Sequence, residues 1–389
     1  MISLIYLILL FLLAIVATTW IYKKVLKVAK DKNIVDNPDV RKVHRVPVPI
    51  LGGLAVFWGI VVSLAAAGIF TNNVSLFEVG CIMTIMLIVG TLDDLLSLSP
   101  TIRFVIEILA VLALIYSNGY SINDFHGLWG IYQIPDLVAI PFTVFACVGI
   151  INSINLIDGV NGLSSGFCII TCIIFCVLFY LSGDMSGAVL AITSVGALLP
   201  FFFHNVFGQK SKMFIGDGGT MLMGIIISTF VINVLREDSV LSNILPENMG
   251  IVPFTLAVVA IPVFDTLRVM SLRIIRGRSP FMPDKTHLHH LLMDLHFSHV
   301  GITVTEILAN LFVLSAWYVS YLLGASVDVQ LYVVIILSMG ITFGFYKYAR
   351  HNERKQTDIY KKMTKVGDWT HVGHTHWFEW LTKILDREC

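Results

Sequence analysis

Long apolar runs repeat along the whole chain, and short polar segments separate them. Runs of roughly 18 or more apolar residues are long enough to cross a bilayer as helices. The pattern predicts an all-α polytopic integral membrane protein with about eleven transmembrane helices. The predicted spans are residues 2–20, 50–70, 76–92, 101–116, 134–151, 163–181, 186–203, 217–235, 250–270, 303–323 and 328–346.

The composition agrees with this prediction. Of the 389 residues, 56% are hydrophobic and 13% are charged, whereas a soluble domain carries about 25% charged residues. The mean hydropathy is +0.82. We therefore expect the lipid bilayer as one partner of the chain, and we expect no nucleic-acid partner.

The distribution of Lys and Arg predicts the orientation. Basic residues follow the first apolar run and do not precede it, so this run should remain as an anchor with its N-terminus outside. Of the 26 Lys and Arg residues, 25 then lie on the cytoplasmic side or at span ends that abut it, and Arg236 is the exception. This bias predicts an odd number of spans and a cytoplasmic C-terminus. We divide the chain into a transmembrane domain, 1–346, and a basic cytoplasmic tail, 347–389.

Five dense polar motifs gather at the predicted inner face, where ionisable residues near the membrane are costly and usually functional. The first, "GTLDDLLSLSP", places Asp93 and Asp94 at the C-terminus of the third span, where the helix dipole disfavours anions. A solvated helix end would explain one aspartate, but the pair favours a cation or a substrate proton nearby. Arg103 follows at the start of the next span, within reach of an anion in the same loop.

Two further motifs are rich in oxygen donors. In "NSINLIDGVNGLSSG", Asn152, Asn155, Asp158 and Asn161 recur every three residues, which is compatible with a tight turn or with a hard-cation or nucleobase site. In "KMFIGDGGTMLMG", Asp217 opens the eighth span. It is either a helix N-cap or a metal ligand beside a phosphate at the helix N-terminus.

The fourth motif is basic and contains "PDKTHLHHL". It follows Asp265 and Arg268, which are spaced as an intrahelical pair. A zinc site is disfavoured, because the segment has no cysteine and its Arg and Lys would repel a cation. A phosphate cradle fits better than a topology signal or a lipid-headgroup contact alone. The candidate donors are Arg273, Arg276, Arg278, Lys285, His287, His289 and His290.

The fifth motif, "DNPDVRKVHRVPVPILGG", precedes the second span. Its basic residues Lys42, His44 and Arg45 are explained by topology alone. The Pro and Gly pattern that follows indicates an ordered loop against the membrane surface.

Taken together, the five motifs supply two kinds of group. Acidic and amide groups would hold Mg²⁺, and basic groups would hold phosphates. This combination predicts phosphoryl transfer between a cytosolic diphosphate and a membrane-embedded acceptor.

These five motifs, in this order, resemble those of the polyprenyl-phosphate N-acetylhexosamine-1-phosphate transferases, over roughly residues 33–300. The chain is most similar to the WecA/TagO-type branch. The phospho-MurNAc-pentapeptide transferase of peptidoglycan synthesis is the alternative. It carries three consecutive histidines, where this chain has His-Leu-His-His, and a lysine at the position of Ser97.

The resemblance implies transfer of a HexNAc-1-phosphate, in the first place GlcNAc-1-phosphate, from a UDP-N-acetylhexosamine to undecaprenyl phosphate with release of UMP. It implies Mg²⁺ or Mn²⁺ as cofactor, the bacterial inner (cytoplasmic) membrane as location, and an active site built from cytoplasmic loops. Relatives often form dimers, so a homodimer is compatible with it. The sequence decides neither the sugar nor the glycan, whether O-antigen, enterobacterial-type common antigen, teichoic acid or capsule.

The resemblance also assigns roles to residues. Asp217 and Asn155 are expected to bind the metal, and Asn161 stands where many members have an aspartate that contacts uracil. The expected catalytic residues are Asp93, Asp94, Asp158, His287, His289 and His290. The expected substrate-binding residues are Lys42, His44, Arg45, Arg103, Asn161, Arg273, Arg276 and Arg278.

Two other classes of protein place carboxylates in membrane helices. An intramembrane aspartyl protease needs two facing aspartates at membrane depth, but the Ile-Gly-Asp around Asp217 lacks the Gly-x-Gly-Asp pattern and the carboxylates lie at span ends. A secondary transporter typically shows internal repeats and polar residues near the bilayer midplane. Neither feature is visible in this sequence, so both classes are disfavoured.

Overall fold

The computed structural model describes residues 2–37, 46–70, 74–239, 241, 244–246, 248–280, 284–373 and 375–387. Helices dominate these ranges. A two-stranded antiparallel ribbon joins β1 (Val35–Asp36) to β2 (Val48–Pro49). The helices are α1 (Ile2–Asp31), α2 (Gly52–Phe70), α3 (Val74–Leu96), α4 (Pro100–Asn118), α5 (Asp136–Leu156), α6 (Leu163–Ser182), α7 (Met185–Phe207), α8 (Gly216–Val234), α9 (Ile251–Val258), α10 (Ala260–Ile275), α11 (Leu288–Asp294), α12 (His299–Leu322), α13 (Val327–Met339), α14 (Tyr346–Lys355), α15 (Asp358–Trp369) and α16 (His376–Asp386).

Within the described ranges, nine helices are long and apolar enough to cross a membrane. They are α1, α3 to α8, α12, and the continuous segment from α13 through a π-helical turn (Gly340–Phe345) into α14. The bent pair α9 and α10 would make a tenth, and α2 is a shorter apolar helix. The prediction of an all-α polytopic membrane protein is therefore confirmed. The count of eleven spans and the orientation stay predictions.

The predicted span 250–270 is not one straight helix. It breaks at Val259, and α9 and α10 meet at 75°. Pro262 has no N–H to donate to the preceding turn, which frees carbonyl groups at the break. Asn310 of α12 satisfies the freed backbone: its Oδ1 accepts from Ile261 N at 2.9 Å, and its Nδ2 donates to Val258 O at 2.9 Å. The break is thus stabilised by a neighbouring helix, as backbone inside a membrane requires.

Replacing Asn310 by leucine should lower the thermal stability of the detergent-purified protein. The substitution leaves a buried N–H and two buried carbonyl groups without partners, and each unpaired group costs about 1–3 kcal/mol. The unfolding temperature measures the effect. Ser315→Ala on the same helix is the control, because Ser315 is exposed and donates only to its own helix at Leu311 O. Equal unfolding temperatures for the two variants would contradict this role of Asn310.

Helix α8 lies at the centre of the bundle and is buried over most of its length. Glycines allow α3 to approach it closely: a Cβ at Gly90 would lie 2.5 Å from the carbonyl oxygen of Asp217, and one at Gly218 would lie 2.6 Å from Thr91 Oγ1. Small residues commonly permit such contacts between membrane helices. The last turn of α3 and the first turn of α8 are consequently held side by side.

The segment after β2 pairs with the chain that leads into α8. Phe214 N donates to Pro49 O at 2.7 Å, and Gly52 N and Gly53 N donate to Phe214 O and Ile215 O at 2.9 and 2.8 Å. This pairing anchors the segment predicted as an ordered loop beside the start of α8. Of the residues assigned to that loop, Lys42, His44 and Arg45 lie outside the described residues.

The tail packs against loops at the end of the bundle where α8 begins. Ser298, the N-cap of α12, donates two hydrogen bonds to Thr370 after α15, one from its backbone N–H and one from its hydroxyl group. The Asp386 carboxylate accepts from the backbone N–H groups of residues 209–211, in the loop between α7 and α8. Phe378 of α16 packs on Phe207 with ring centroids 5.1 Å apart. The tail is therefore fastened at both α12 and α7.

Candidate active site

The first turn of α8 is capped by another helix. Asp94, near the end of α3, accepts from Asp217 N at 3.1 Å and from Gly218 N at 3.4 Å. A carboxylate at this position satisfies free N–H groups and the positive end of the helix dipole. The N-cap position of α8 is Ile215, and Asp217 lies within the first turn. The alternative that Asp217 serves as an N-cap is therefore wrong, because Asp94 has that role.

Asp217 is held with its carboxylate at the start of α8. Its Oδ1 accepts from Asn155 Nδ2 at 2.7 Å, and its Oδ2 lies 3.6 Å from Arg103 Nη1. Asn155 also donates to Thr220 Oγ1 at 2.9 Å, one turn further along α8. The amide of Asn155 thus bridges α5 to α8 and fixes the rotamer of Asp217. The two residues expected to bind the metal are in direct contact.

Arg103, at the start of α4, contacts side chains near the ends of α3 and α5. Its guanidinium lies 3.2 Å from Asp93 Oδ2 and 3.4 Å from Glu107 Oε1, and it donates to Asn152 Oδ1 at 3.3 Å. Glu107 is 1% exposed and also accepts from Asn152 Nδ2. Arg103 therefore faces the Asp93 carboxylate at the end of α3, and its assignment to substrate binding stays a prediction. Sequence reasoning missed Glu107, although a carboxylate four residues after an arginine in an apolar helix was a usable signal.

Asp158 lies in the turn between α5 and α6, and it accepts a hydrogen bond from Ser164 Oγ. Burial, against the lowering effect of the Ser164 hydrogen bond and with a smaller contribution from the nearby Asp217 carboxylate, raises the pKa of Asp158 to about 8. The side chain therefore carries a proton at neutral pH when no cation is present. A neutral carboxyl group can donate a hydrogen bond to a substrate oxygen.

The raised pKa of Asp158 predicts a pH dependence of stability. In the unfolded chain the group loses its proton near pH 3.8, and in the folded protein it loses it near pH 8. The unfolded state therefore binds fewer protons between these values, so the free energy of unfolding should fall as pH rises from about 4 to about 8. Asp158→Asn should flatten this part of the profile, measured as unfolding temperature in EDTA. If the Asp158→Asn protein kept the full wild-type slope, the assignment would be contradicted.

The histidine motif is organised by Asp265 of α10. Its Oδ2 accepts from His287 Nδ1 at 2.8 Å, and its Oδ1 accepts from Arg268 Nη2 at 2.6 Å. Both oxygens lie 3.2 Å from Leu288 N, at the start of α11. One buried carboxylate thus fixes the arginine, the first histidine and the helix that carries the other two. The sequence indicated only the intrahelical pair with Arg268.

His287, His289 and His290 lie together. The rings of His287 and His289 are stacked at 5.6 Å, and those of His289 and His290 are 4.3 Å apart. Burial and the neighbouring histidines lower the pKa of His289 well below its usual range, and burial, His287 and Lys285 lower that of His290 to about 4. Without a bound anion, His289 and His290 are therefore neutral hydrogen-bonding groups at pH 7.

A glycine contact joins this cluster to the Asp158 turn. A Cβ at Gly159 would lie 2.7 Å from His289 Nε2, so the imidazole packs directly on the backbone beside Asp158. The neighbouring Asn161 donates its backbone N–H to His299 Nδ1 at 3.2 Å, and its carbonyl accepts from Thr303 at 3.0 Å. The motif of Asn152, Asn155, Asp158 and Asn161 therefore meets the histidine motif at the 157–162 turn.

The three arginines of the histidine motif that were assigned to substrate binding differ in burial. Arg276 and Arg278 are exposed. Arg273 is buried, with Nε and Nη2 on the Asp284 carboxylate at 3.1 and 3.0 Å and Nη1 on Pro280 O at 2.6 Å. The Arg273 guanidinium thus has protein partners at Asp284 and Pro280, and its assignment to substrate binding stays a prediction.

The donor set fits a hard divalent cation that completes its coordination with substrate. Carboxylates outnumber the guanidinium of Arg103 in the described part of the site. In that part, no group of three or more His, Cys, Asp or Glu side chains is arranged to hold an ion alone. Mg²⁺ usually takes one or two protein carboxylates together with phosphate oxygens and water. Asp217, with the amide of Asn155 against it, meets that requirement.

Comparison with known proteins agrees with the geometry. The model of glycosyl transferase family 4 matches residues 76–235, which hold α3 to α8. A Bacillus subtilis (strain 168) protein named probable undecaprenyl-phosphate N-acetylglucosaminyl 1-phosphate transferase is 30% identical over 362 residues, covering 91% of this chain and 96% of that protein.

Two further relatives carry a similar name, undecaprenyl-phosphate alpha-N-acetylglucosaminyl 1-phosphate transferase. The Escherichia coli (strain K12) protein is 29% identical over 282 residues, covering 70% of this chain and 72% of its own length. The Yersinia pestis protein is 30% identical over 279 residues, covering 70% and 73%. The likeness to the Bacillus protein extends over almost the full length of both chains. The chain therefore belongs to glycosyl transferase family 4.

Proposed function

We propose that this protein transfers GlcNAc-1-phosphate from UDP-GlcNAc to undecaprenyl phosphate and releases UMP, as the first membrane step of a cell-surface glycan pathway. The observation that carries the proposal is the convergence of Asp94, Asp217, Asn155 and Arg103 at one end of the bundle, from four different helices. The names of the relatives supply the substrates. We further propose that this end faces the cytoplasm of a bacterial inner membrane.

The proposed cofactor is Mg²⁺ or Mn²⁺, held by Asp217 with Asn155 as the second protein contact. When bound, the ion supplies charge neutralisation for the diphosphate of the UDP-sugar. Asp94 keeps the first turn of α8 in place through its two backbone contacts. Asp93 accepts from Leu98 N at 2.8 Å and thereby orders the turn from which Arg103 rises.

In the proposed reaction, an oxygen of the lipid phosphate attacks the β-phosphorus of the UDP-sugar. The bond from that phosphorus to the bridging oxygen breaks, and UMP leaves with the oxygen. Arg103 is the described guanidinium closest to Asp217, at 3.6 Å, and we assign it to the phosphates during transfer. Such reactions depend on positioning and electrostatic stabilisation more than on covalent help.

The histidine cluster is proposed to bind phosphate through neutral N–H groups. The lowered pKa values of His289 and His290 mean that binding needs no prior protonation. The packing of His289 on Gly159, beside Asp158, supports a role for the cluster next to the proposed nucleotide side of the site. Arg276 and Arg278, which are exposed, are proposed to contact the incoming nucleotide sugar.

UMP release by the detergent-purified protein tests the proposal. The assay contains undecaprenyl phosphate, Mg²⁺ and one UDP-sugar from a panel of UDP-GlcNAc, UDP-GalNAc and UDP-MurNAc-pentapeptide, with and without EDTA. UMP formed from UDP-GlcNAc, dependent on lipid and metal, supports the proposal. UMP formed only from UDP-MurNAc-pentapeptide would replace it with the peptidoglycan alternative. No UMP from any UDP-sugar in folded protein would reject it.

A further inference from the structure

A cavity lies at the end of the bundle opposite the candidate active site. Its walls come from the start of α3, the end of α4, the start of α7 and the end of α8. The site, by contrast, uses the end of α3 and the starts of α4 and α8. The cavity encloses about 240 Å³, somewhat less than the ~300 Å³ at which pockets for drug-sized ligands begin. Its size suits a headgroup.

The lining combines an apolar wall with a few polar side chains, the pattern of a ligand site. Aliphatic and aromatic groups form most of the wall, and the polar groups include one cation and one carboxylate. The apolar residues include Leu76, Val79, Leu114, Leu190 and Phe230. The polar residues include Tyr120, Asp184, Thr229, Asn233 and Arg236.

Arg236 is the residue that departs from the charge asymmetry of the chain. Its guanidinium lies 3.8 Å from the centroid of the Tyr120 ring, which holds it in place by a cation–π contact. Its Nε is buried and has no hydrogen-bond partner among the residues that the structure describes. An N–H group buried in this way is unfavourable unless a ligand accepts from it. A phosphate oxygen is the preferred acceptor for a guanidinium.

Asp184 fixes a negative charge in the same cavity. Its Oδ1 accepts from Gly187 N at 3.0 Å as the N-cap of α7, and its Oδ2 accepts from Asn233 Nδ2. The carboxylate is thus rigidly placed by two helices. A cavity that carries one held cation and one held anion complements a zwitterion better than it complements a simple anion.

We propose that this cavity binds the headgroup of a zwitterionic aminophospholipid, with the phosphate on Arg236 and the ammonium group toward Asp184. The acyl chains lie along the outer surface of α3 and α4. Phe77 and Tyr116, near the cavity ends of these helices, are 73% and 70% exposed and provide apolar surface for them. This site is independent of the proposed transferase activity, because it lies at the other end of the bundle.

Native mass spectrometry of the delipidated full-length protein tests the site. The protein is titrated with dioleoyl phosphatidylethanolamine, and wild type is compared with two variants. Arg236→Gln removes the cation, and Thr229→Leu fills the cavity. Wild type should show one saturable lipid beyond the nonspecific background. Both variants should bind it at least about tenfold more weakly. Arg236→Gln loses a hydrogen bond to a charged group, which contributes about 1.4 kcal/mol or more, and Thr229→Leu takes up space that the headgroup needs. Unchanged binding by Arg236→Gln would overturn the proposal.

Phosphatidylglycerol and inorganic phosphate distinguish the ligand class. Wild type should prefer phosphatidylethanolamine to phosphatidylglycerol, and Asp184→Asn should remove that preference while keeping the helix cap, since asparagine caps as well as aspartate. Equal wild-type binding of the two lipids, or displacement of the lipid by inorganic phosphate alone, would overturn the assignment of an aminophospholipid. UMP release should be unchanged in all three variants, so failure of this site and failure of the proposed function are separable.

Discussion

Asp217→Asn is expected to lower metal-dependent UMP release by about 10³-fold while the protein stays folded and inserted. The substitution is isosteric, and the fold does not depend on the charge, because Asp94 and not Asp217 caps α8. The carboxylate that would hold the ion is lost, and removal of a single preorganised electrostatic group costs about 10²–10³ in rate. The measurement is the initial rate of UMP release across a range of Mg²⁺ concentrations, with unfolding temperature recorded in parallel.

Asp136→Asn is the matched control for this experiment. Asp136 also lies in the first turn of a membrane helix, α5, but it is exposed and at the opposite end of the bundle from Asp217. It should retain the full rate. Wild-type activity in Asp217→Asn would exclude Asp217 as a metal ligand. A similar loss in both variants would mean that the effect comes from membrane insertion and not from the site.

The spans were predictable because burial in lipid leaves a simple signature in sequence. Apolar length alone located α3 to α8 and α12 to within a few residues. The grouping of Asp93, Asp217 and Arg103 also followed, because alternate ends of successive spans return to the same face of the membrane. Chain order and helix length were sufficient for that inference.

Contacts between helices distant in sequence were not predictable. The α9–α10 break depends on Asn310, some fifty residues further along the chain, and no local pattern marks that partner. Asp94 was expected among the catalytic residues, but its backbone contacts to α8 depend on the close approach that Gly90 and Gly218 allow. Arg273 was indistinguishable from its exposed neighbours until Asp284 was seen to engage it. Composition identifies which groups are present, but tertiary packing decides which of them remain free for a ligand.

Asp265→Ala is expected to be the most destabilising single substitution in the histidine motif. It leaves Arg268, 1% exposed, without its counter-charge, and it removes the acceptor for His287 Nδ1 and for Leu288 N. Breaking a buried ion pair from one side costs about 3–5 kcal/mol. Both the unfolding temperature and UMP release should fall sharply, because α11 and its histidines lose the carboxylate that places them.

Asp284→Ala provides the comparison, since it breaks an Asp–Arg pair in the same segment. The Asp284 side chain is 25% exposed against 3% for Asp265, and the buried Arg273 keeps Pro280 O as a partner when Asp284 is lost, so the cost should be smaller than that of Asp265→Ala. The difference between the two variants isolates the effect of burial on otherwise similar pairs. An equal fall in unfolding temperature would show that the Asp284–Arg273 pair and the Asp265 contacts contribute equally to stability. A normal unfolding temperature for Asp265→Ala would show that the contacts of Arg268 with Thr286 O and the Tyr346 ring hold it without the carboxylate.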